Sequence, residues 1–433
     1  MTAAQKLPTT TKAVRVFEHG EPDRLVYGEY PLELLGPTGV LIEVDTAPVS
    51  GWDLHYRSGG VAGLNLPGRR ALPMPQQLGR EAAGTVVGVG VQVTRFVVGQ
   101  PVVAVVHPEN PRSVETYRGL GNLSTGVDVP GHVALAGYAQ YLIRDEQMWL
   151  AVPSHVDVEQ AAVTLWSYAT AHRVVRDRLH VALGDSVLVC GASGGMGEAS
   201  VRLAKLAGAK VAVTTRYAGK VDLLRSMGAD EVVVTHELIA VGSQVREWTA
   251  GEGVDQVVDY TGDPDLLRTA VGCLRLGGRI CPASGMQRSD GPPPFDIHDF
   301  TRLDMTVTGV RGARHQDALT VLDLLARGAI SSRIAGRFSL SEADQAHTVD
   351  GERVRSGRAR GAEAWLRQLN EYVLSNPIRM RNEECRNLAV IAHIVIRSRG
   401  RAVGSEVRTC AASPHGTTVP DSEGGLCPAS ALS

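Results

Sequence analysis

One segment constrains this chain more than any other. Ser186-Val-Leu-Val-Cys190 runs into Gly191-Ala-Ser-Gly-Gly-Met-Gly197, which runs into Glu198-Ala-Ser-Val-Arg-Leu-Ala-Lys-Leu206. An apolar strand, a glycine turn and a helix opening at the last glycine are what a dinucleotide needs. Small residues let the backbone approach a pyrophosphate, and the helix N-terminus supplies free N–H groups and a partial positive charge. Glycine turns end many strands, but here the strand before and the helix after are both present. Ala192, Ser193, Gly194, Gly195, Met196 and Gly197 are therefore candidate cofactor contacts. Strand–helix alternation continues through 210–215, 219–227 and 231–234, then 256–259, 266–274, 278–282 and 305–310. That order predicts βαβ units and a parallel sheet over residues 156–312.

The end of the second strand selects the dinucleotide. An NAD site places Asp or Glu there to accept a hydrogen bond from the ribose 2′-OH. This chain has Thr214, Thr215 and Arg216, followed by Tyr217 and Lys220. A carboxylate would repel a 2′-phosphate, whereas a guanidinium and an ammonium bind it. Thr215, Arg216 and Lys220 thus point to NADPH, against the alternative that both cations are solvated surface charges. Tyr260, Ser284 and Gly285 join them as candidate cofactor contacts.

Upstream, short alternating runs at 13–17, 40–44, 83–89, 102–106 and 138–143 are punctuated by glycine, the texture of a mostly antiparallel β domain. The 433 residues leave room for two or three domains. Lys and Arg number 44 against 46 Asp and Glu, a net charge of −2 that excludes the basic footprint of a nucleic-acid binder. No apolar run approaches the ~20 residues of a membrane helix. The first residues, MTAAQKLPTTTKAV, lack the apolar core of a secretory signal. Six cysteines with no CxxC pair fit neither a disulfide framework nor a zinc ribbon. A soluble cytoplasmic protein acting on a small molecule is the expectation.

Along residues 12–347 further segments fall in a fixed order. They are Gly39-Val-Leu-Ile-Glu-Val44, Asp53-Leu-His-Tyr-Arg-Ser-Gly59, Leu78-Gly-Arg-Glu-Ala-Ala-Gly84, Ala136-Gly-Tyr-Ala-Gln-Tyr141, the glycine motif and Gly253-Val-Asp-Gln-Val-Val-Asp-Tyr-Thr-Gly262. Together they resemble the medium-chain dehydrogenase/reductase superfamily, in its zinc-independent quinone oxidoreductase and enoyl reductase branch. The resemblance implies an α/β fold: a GroES-like catalytic domain over 12–155, completed by about 313–360, packed on a Rossmann domain over 156–312. It also implies an active site in the cleft between them and a homodimer. Zinc alcohol dehydrogenases hold catalytic zinc with Cys, His and a second Cys. The matching positions here are Ser50, Arg80 and Trp166, and none is an ordinary zinc donor. His55, His107 and His132 are scattered without ligand spacing, so no metal is expected.

Without zinc, the chemistry left to such a fold is hydride delivery to an enone, an enoyl thioester or a quinone. Negative charge develops on a carbonyl oxygen, which hydrogen-bond donors stabilise. A carbon then takes a proton from a side chain or water. By resemblance, a tyrosine position of this branch falls on His55, with Tyr56 one residue later; alternation along an extended segment turns only one of the two to the cleft. Ser50 stands where relatives carry an Asn near the nicotinamide, and Thr170 matches the family Thr beside the nicotinamide and diphosphate. A cofactor ribose hydroxyl or water is the alternative proton donor. A zinc-free carbonyl reductase and a non-catalytic NADPH-binding sensor are the competing functions. Residues 106–136 resemble crotonyl-CoA carboxylase/reductases, but Pro130-Gly-His-Val-Ala-Leu-Ala-Gly137 carries no Glu to help hold CO₂. Carboxylation is not expected, and an acyl-thioester or polyketide-like substrate stays open.

The tail departs from the resemblance. Relatives end on Gly-Lys and an apolar strand that closes the catalytic domain. Ser356-Gly-Arg-Ala-Arg-Gly361 approaches that motif, but Ala362-Glu-Ala-Trp-Leu-Arg367 follows instead of a strand. Residues 361–433 read as an atypical, partly disordered extension, either a partner arm or a frameshift product. The fold is expected to be nearly complete by His347, so that removing residues from about 376 leaves cofactor binding intact. The apolar run at 388–396 is the one stretch able to overturn this.

Overall fold

Two short strands, β1 (Thr10–Val16) and β2 (Leu25–Pro31), pair antiparallel and lead into β3 (Gly39–Val49). The computed structural model describes residues 7–60, 73–234, 238–284, 295–356 and 393–398. β3 is buried along nearly its whole length because it is central. Helix α1 (Gly51–Ser58) follows it directly. Then come β4 (Ala83–Val89), β5 (Pro101–Ala104), α2 (Val114–Tyr117), β6 (Tyr141–Asp145) and β7 (Trp149–Ala151). β4 pairs antiparallel with β3, β5 with β4, and β7 with β5, while β6 takes Gly39–Glu43 of β3. This is the mostly antiparallel, GroES-like sheet expected of the first zone.

Helix α3 (Val158–His172), capped by Asp157, leads through a π turn at Arg173–Arg178 into the second sheet. Here β8 (Ser186–Cys190), α4 (Gly195–Leu206), β9 (Lys210–Thr215), α5 (Val221–Ser226) and β10 (Glu231–Val234) alternate. The second half repeats the pattern with α6 (Leu238–Trp248), β11 (Val254–Asp259), α7 (Pro264–Val271) and β12 (Leu274–Pro282), then α8 (Ile297–Leu303) and β13 (Thr306–Val307). All six strands are parallel, in the order β10-β9-β8-β11-β12-β13. Strand alternation divides the core: Val187, Val189, Val211 and Val213 join one apolar cluster, and Leu188, Cys190 and Ala212 join another. The strand order reverses between β8 and β11, where a doubly wound sheet opens its crevice.

The two sheets share a core. α3 packs on α4 and on α9 (His315–Ala326), and also against β3 and β5. Ala83, Val103 and Leu150 of the first sheet cluster with Leu165, Tyr168, Leu203 and Val321 of the second region. Both sheets lie within one compact unit, Met1–Arg399.

One expectation is overturned at the end of the chain. After β14 (Ile334–Ser339) and α10 (Ala343–Ser356), the strand that closes the first sheet is β15 (His393–Arg397), well past 360. β15 lies between β14, to which it is parallel, and the second half of β3, to which it is antiparallel. Ile394, Val395 and Ile396 are buried in the core. The end of the apolar run, from His393 on, is therefore part of the fold, and the catalytic domain is not complete by His347. The expected helix at 363–374 and the expected disorder from 409 lie outside the described residues.

Candidate active site

The glycine turn is built by close approach. Gly191 adopts φ +81°, and a Cβ on Gly197 would lie 2.2 Å from the Gly191 carbonyl oxygen. No other residue lets α4 start this near the end of β8. Its N-cap is Gly194, which has no side chain to occupy the first-turn amides. Those donors face the crevice mouth with the positive end of the helix dipole. At the far end of the crevice, Lys220 Nζ donates to Ser193 Oγ at 3.4 Å and lies 4.7 Å from the Tyr217 ring centroid. Arg216 is exposed beside it, Thr215 is buried, and β9 ends without a carboxylate. Tyr260 sits against Gly191 but directs its hydroxyl to Ser200 at 2.7 Å, so it buttresses the turn from behind. Ser284 lies two residues past β12, and Gly285 falls outside the described residues. An uncapped helix end, a turn admitting no Cβ and a lysine bridging to Ser193 fit the diphosphate and ribose of a nicotinamide dinucleotide.

The facing wall begins at Ser50. The expectation of extended backbone here fails, because Ser50 and Asp53 form a reciprocal capping box that starts α1. Ser50 Oγ donates to Asp53 Oδ2 at 2.6 Å, so its proton is committed to the cap rather than offered to the nicotinamide. In a helix, His55 and Tyr56 point about 100° apart. Tyr56 is fully buried, with its hydroxyl 3.2 Å from His132 Nδ1. His55 is half-buried beside Gly60 at the end of the helix.

Asp53 also reaches the next segment. Its Oδ1 accepts from the backbone N–H of Gly79 at 2.9 Å and of Arg80 at 3.4 Å. Burial pushes the Asp53 carboxyl up from the usual range, and these hydrogen bonds act against that shift. Arg80, thus anchored, is 1% exposed. Its Cζ lies 4.3 Å from the Trp166 ring centroid and 5.5 Å from those of Trp52 and Tyr56. Glu81 beside it is pushed well above the usual carboxylate range by burial and by Asp53, with Arg80 opposing. Of the three positions that carry zinc donors in zinc alcohol dehydrogenases, Arg80 lies over the Trp166 ring and Ser50 is engaged in a cap. A guanidinium and an indole cannot donate to a cation.

A small hollow of about 30 Å³ is lined by His107, Trp166, Thr170, Arg314 and His315 among others. Thr170 Oγ1 is buried there with no hydrogen-bond partner among the described residues, a donor awaiting a ligand. Arg314 is held by Asp177 and Asp317, and Asp317 also accepts from His172 Nδ1 at 2.9 Å. Burial lowers the His315 pKa from 6.5, partly offset by Glu109.

The comparisons with known proteins agree with this architecture. A model described as the alcohol dehydrogenase GroES-like domain matches residues 36–154, and one described as zinc-binding dehydrogenase matches 195–327. The chain belongs to the medium-chain dehydrogenase/reductase superfamily. A quinone oxidoreductase of Pseudomonas aeruginosa is 26% identical over 78% of this chain and 95% of its own length. A 2-haloacrylate reductase of a Burkholderia species is 27% identical over 79% of this chain and 96% of its own. The solved structure of AibC, 26% identical, superimposes with a TM-score of 0.73 over 90% of this chain and 96% of its own. This superfamily member is thus an oxidoreductase that uses a nicotinamide cofactor. Among its described residues no helix is long and apolar enough to cross a membrane.

The sequence marks the strand–turn–helix segment, which the structure shows as β8, the glycine turn and α4, whereas Arg80 enters it only as a position without a zinc donor. Its signal was legible: a charge inside the run Leu78-Gly-Arg-Glu-Ala-Ala82, where burial demands a partner.

Proposed function

We propose that this superfamily member is a zinc-independent, NADPH-dependent reductase of activated double bonds or quinones, working as a homodimer on a small acceptor such as an enone or an acyl thioester. The observation that carries the reading is Arg80 stacked on Trp166 where metal donors would stand. The names of two relatives, a quinone oxidoreductase and a 2-haloacrylate reductase, support the same acceptor class. When bound, NADPH supplies the hydride. Thr170 Oγ1 offers its hydroxyl at the nicotinamide end, and Ser193, Arg216 and Lys220 hold the ribose phosphate. A fixed cation near the acceptor stabilises the oxygen that gains charge. Tyr56 is the assigned proton donor, reprotonated through His132. His55, at the end of α1, and Ser50, committed to Asp53, have no part in this reading.

Two measurements test it. NADPH consumption with an enone is expected to be unchanged in chelator; one zinc per chain by elemental analysis, lost together with activity, would overturn zinc independence. NADPH is expected to bind roughly tenfold to a hundredfold more tightly than NADH, from one charge-assisted phosphate contact of ~1.5–3 kcal/mol. Arg216→Asp should narrow or reverse that gap. Equal wild-type dissociation constants for the two cofactors would refute the roles of Arg216 and Lys220.

A further inference from the structure

Arg80 carries a demand that the fold does not meet. Its guanidinium is buried, yet Nε and Nη2 have no hydrogen-bond partner among the described residues. Orphaned donors on a buried cation are costly, and a bound ligand is one way such a cost is met. Aromatic rings crowd the guanidinium, with the centroids of Trp166, Trp52 and Tyr56 at 4.3, 5.5 and 5.5 Å from Cζ. What is left is an edge. Nε and Nη2 form the side of the fork that makes two parallel N–H···O bonds to a carboxylate, a geometry that one carbonyl oxygen cannot fill.

Among the described residues no carboxylate fills it either. Asp53 spends its oxygens on Ser50 and on the Gly79 and Arg80 amides. Glu81 forms no ion pair with Arg80, and one of its oxygens is itself buried without a partner. Trp166, whose ring centroid lies 4.3 Å from Arg80 Cζ, also lines the hollow that holds Thr170, so one side chain links the guanidinium to that hollow.

We infer that Arg80 is the anchor for a substrate carboxylate, so that the acceptor reduced in this cleft is a small alkene bearing a free carboxylate group. The inference rests on the reductase reading for the reaction, but not for the binding of the anion. Asp53 acts as the positioning residue, fixing the Arg80 backbone so that the fork is held ready.

The test uses the full chain with NADPH and two probe pairs. Butyrate, a saturated carboxylate, should inhibit competitively against the reducible acceptor, with butyramide at least tenfold weaker and chloride without effect. Crotonate should be reduced with a kcat/KM at least tenfold above that of ethyl crotonate. Arg80→Lys keeps the charge but loses the two-point contact, so it should weaken butyrate about 10- to 100-fold and collapse the crotonate preference through KM. Wild-type protein that binds butyrate and butyramide alike would overturn the inference, whether or not the variant folds. Reduction of ethyl crotonate without preference for crotonate would overturn it and leave the reductase reading standing. Tight, Arg80-dependent butyrate binding with no alkene reduced would keep the carboxylate anchor and sink the reductase reading instead.

Discussion

A chain ending at residue 392 is expected to lose cooperative folding and NADPH binding, whereas one ending at 399 should melt within a few degrees of the full protein. β15 is inserted between β3 and β14 rather than laid on an edge, so its loss leaves two neighbours unpaired. Ile394, Val395 and Ile396 are 1%, 0% and 2% exposed. At about 1.5–3 kcal/mol for each fully buried aliphatic side chain, their removal approaches the ~5–15 kcal/mol that holds a domain folded. Glu159, at the start of α3, also loses its 2.8 Å ion pair with Arg397. The damage reaches the cofactor, because the His393 ring packs 2.9 Å from where a Cβ of Gly195 would stand. Thermal melts followed by circular dichroism, with NADPH titration, check both halves. Val395→Asp in the full chain should reproduce the loss by placing a charge in the same core position. A 392-residue chain that melts like the full protein would show that β14 and β3 close the sheet without it.

How much of this was legible follows from how local each feature is. The cradle is a strand, a turn and a helix in succession, so its glycines announce it without reference to the rest of the chain. The end of β9, with Thr215 and Arg216 and no carboxylate, is equally local. β15 is not: its partners β3 and β14 precede it by a long stretch of sequence, and nothing in Leu388–Ile396 says which sheet receives it. The helical course of α1 could have been read from Ser50-Gly-Trp-Asp53, a capping-box spacing. Strand alternation was the wrong basis for separating His55 from Tyr56, because the segment is helical, with Tyr56 buried and His55 half-buried. Arg80 sits between these cases. Its burial was readable from its apolar neighbours, but the aromatic box is assembled from Trp52 and Tyr56 of α1 and Trp166 of α3, which are distant in sequence and meet around Arg80 only in the folded chain.

Acid should destabilise the protein through a histidine far from the chemistry, by about 2–3 kcal/mol between pH 7 and 4.5. His347, on α10, is fully buried, with Nε2 2.9 Å from the Tyr138 hydroxyl and the two rings meeting edge to face. Burial, reinforced by repulsion from Arg57, lowers its pKa to about 3 from an ordinary 6.5. Between those values the unfolded chain holds a proton that the native state excludes. The contribution to stability is therefore fully present above pH 6.5 and is lost as the pH falls, at about 1.4 kcal/mol per pH unit. Carboxyls that burial pushes up, such as Glu81, respond with the opposite sign, so the histidine is read from the difference between the wild type and a variant that lacks it. His347→Phe removes the titration while keeping a ring in the core, and gives up one hydrogen bond worth ~1 kcal/mol. Denaturant melts should then cross: the variant is the less stable protein at pH 7 and the more stable one at pH 4.5. Parallel wild-type and variant curves over this interval would mean that water reaches His347 and that α10 does not seal the sheet closed by β15.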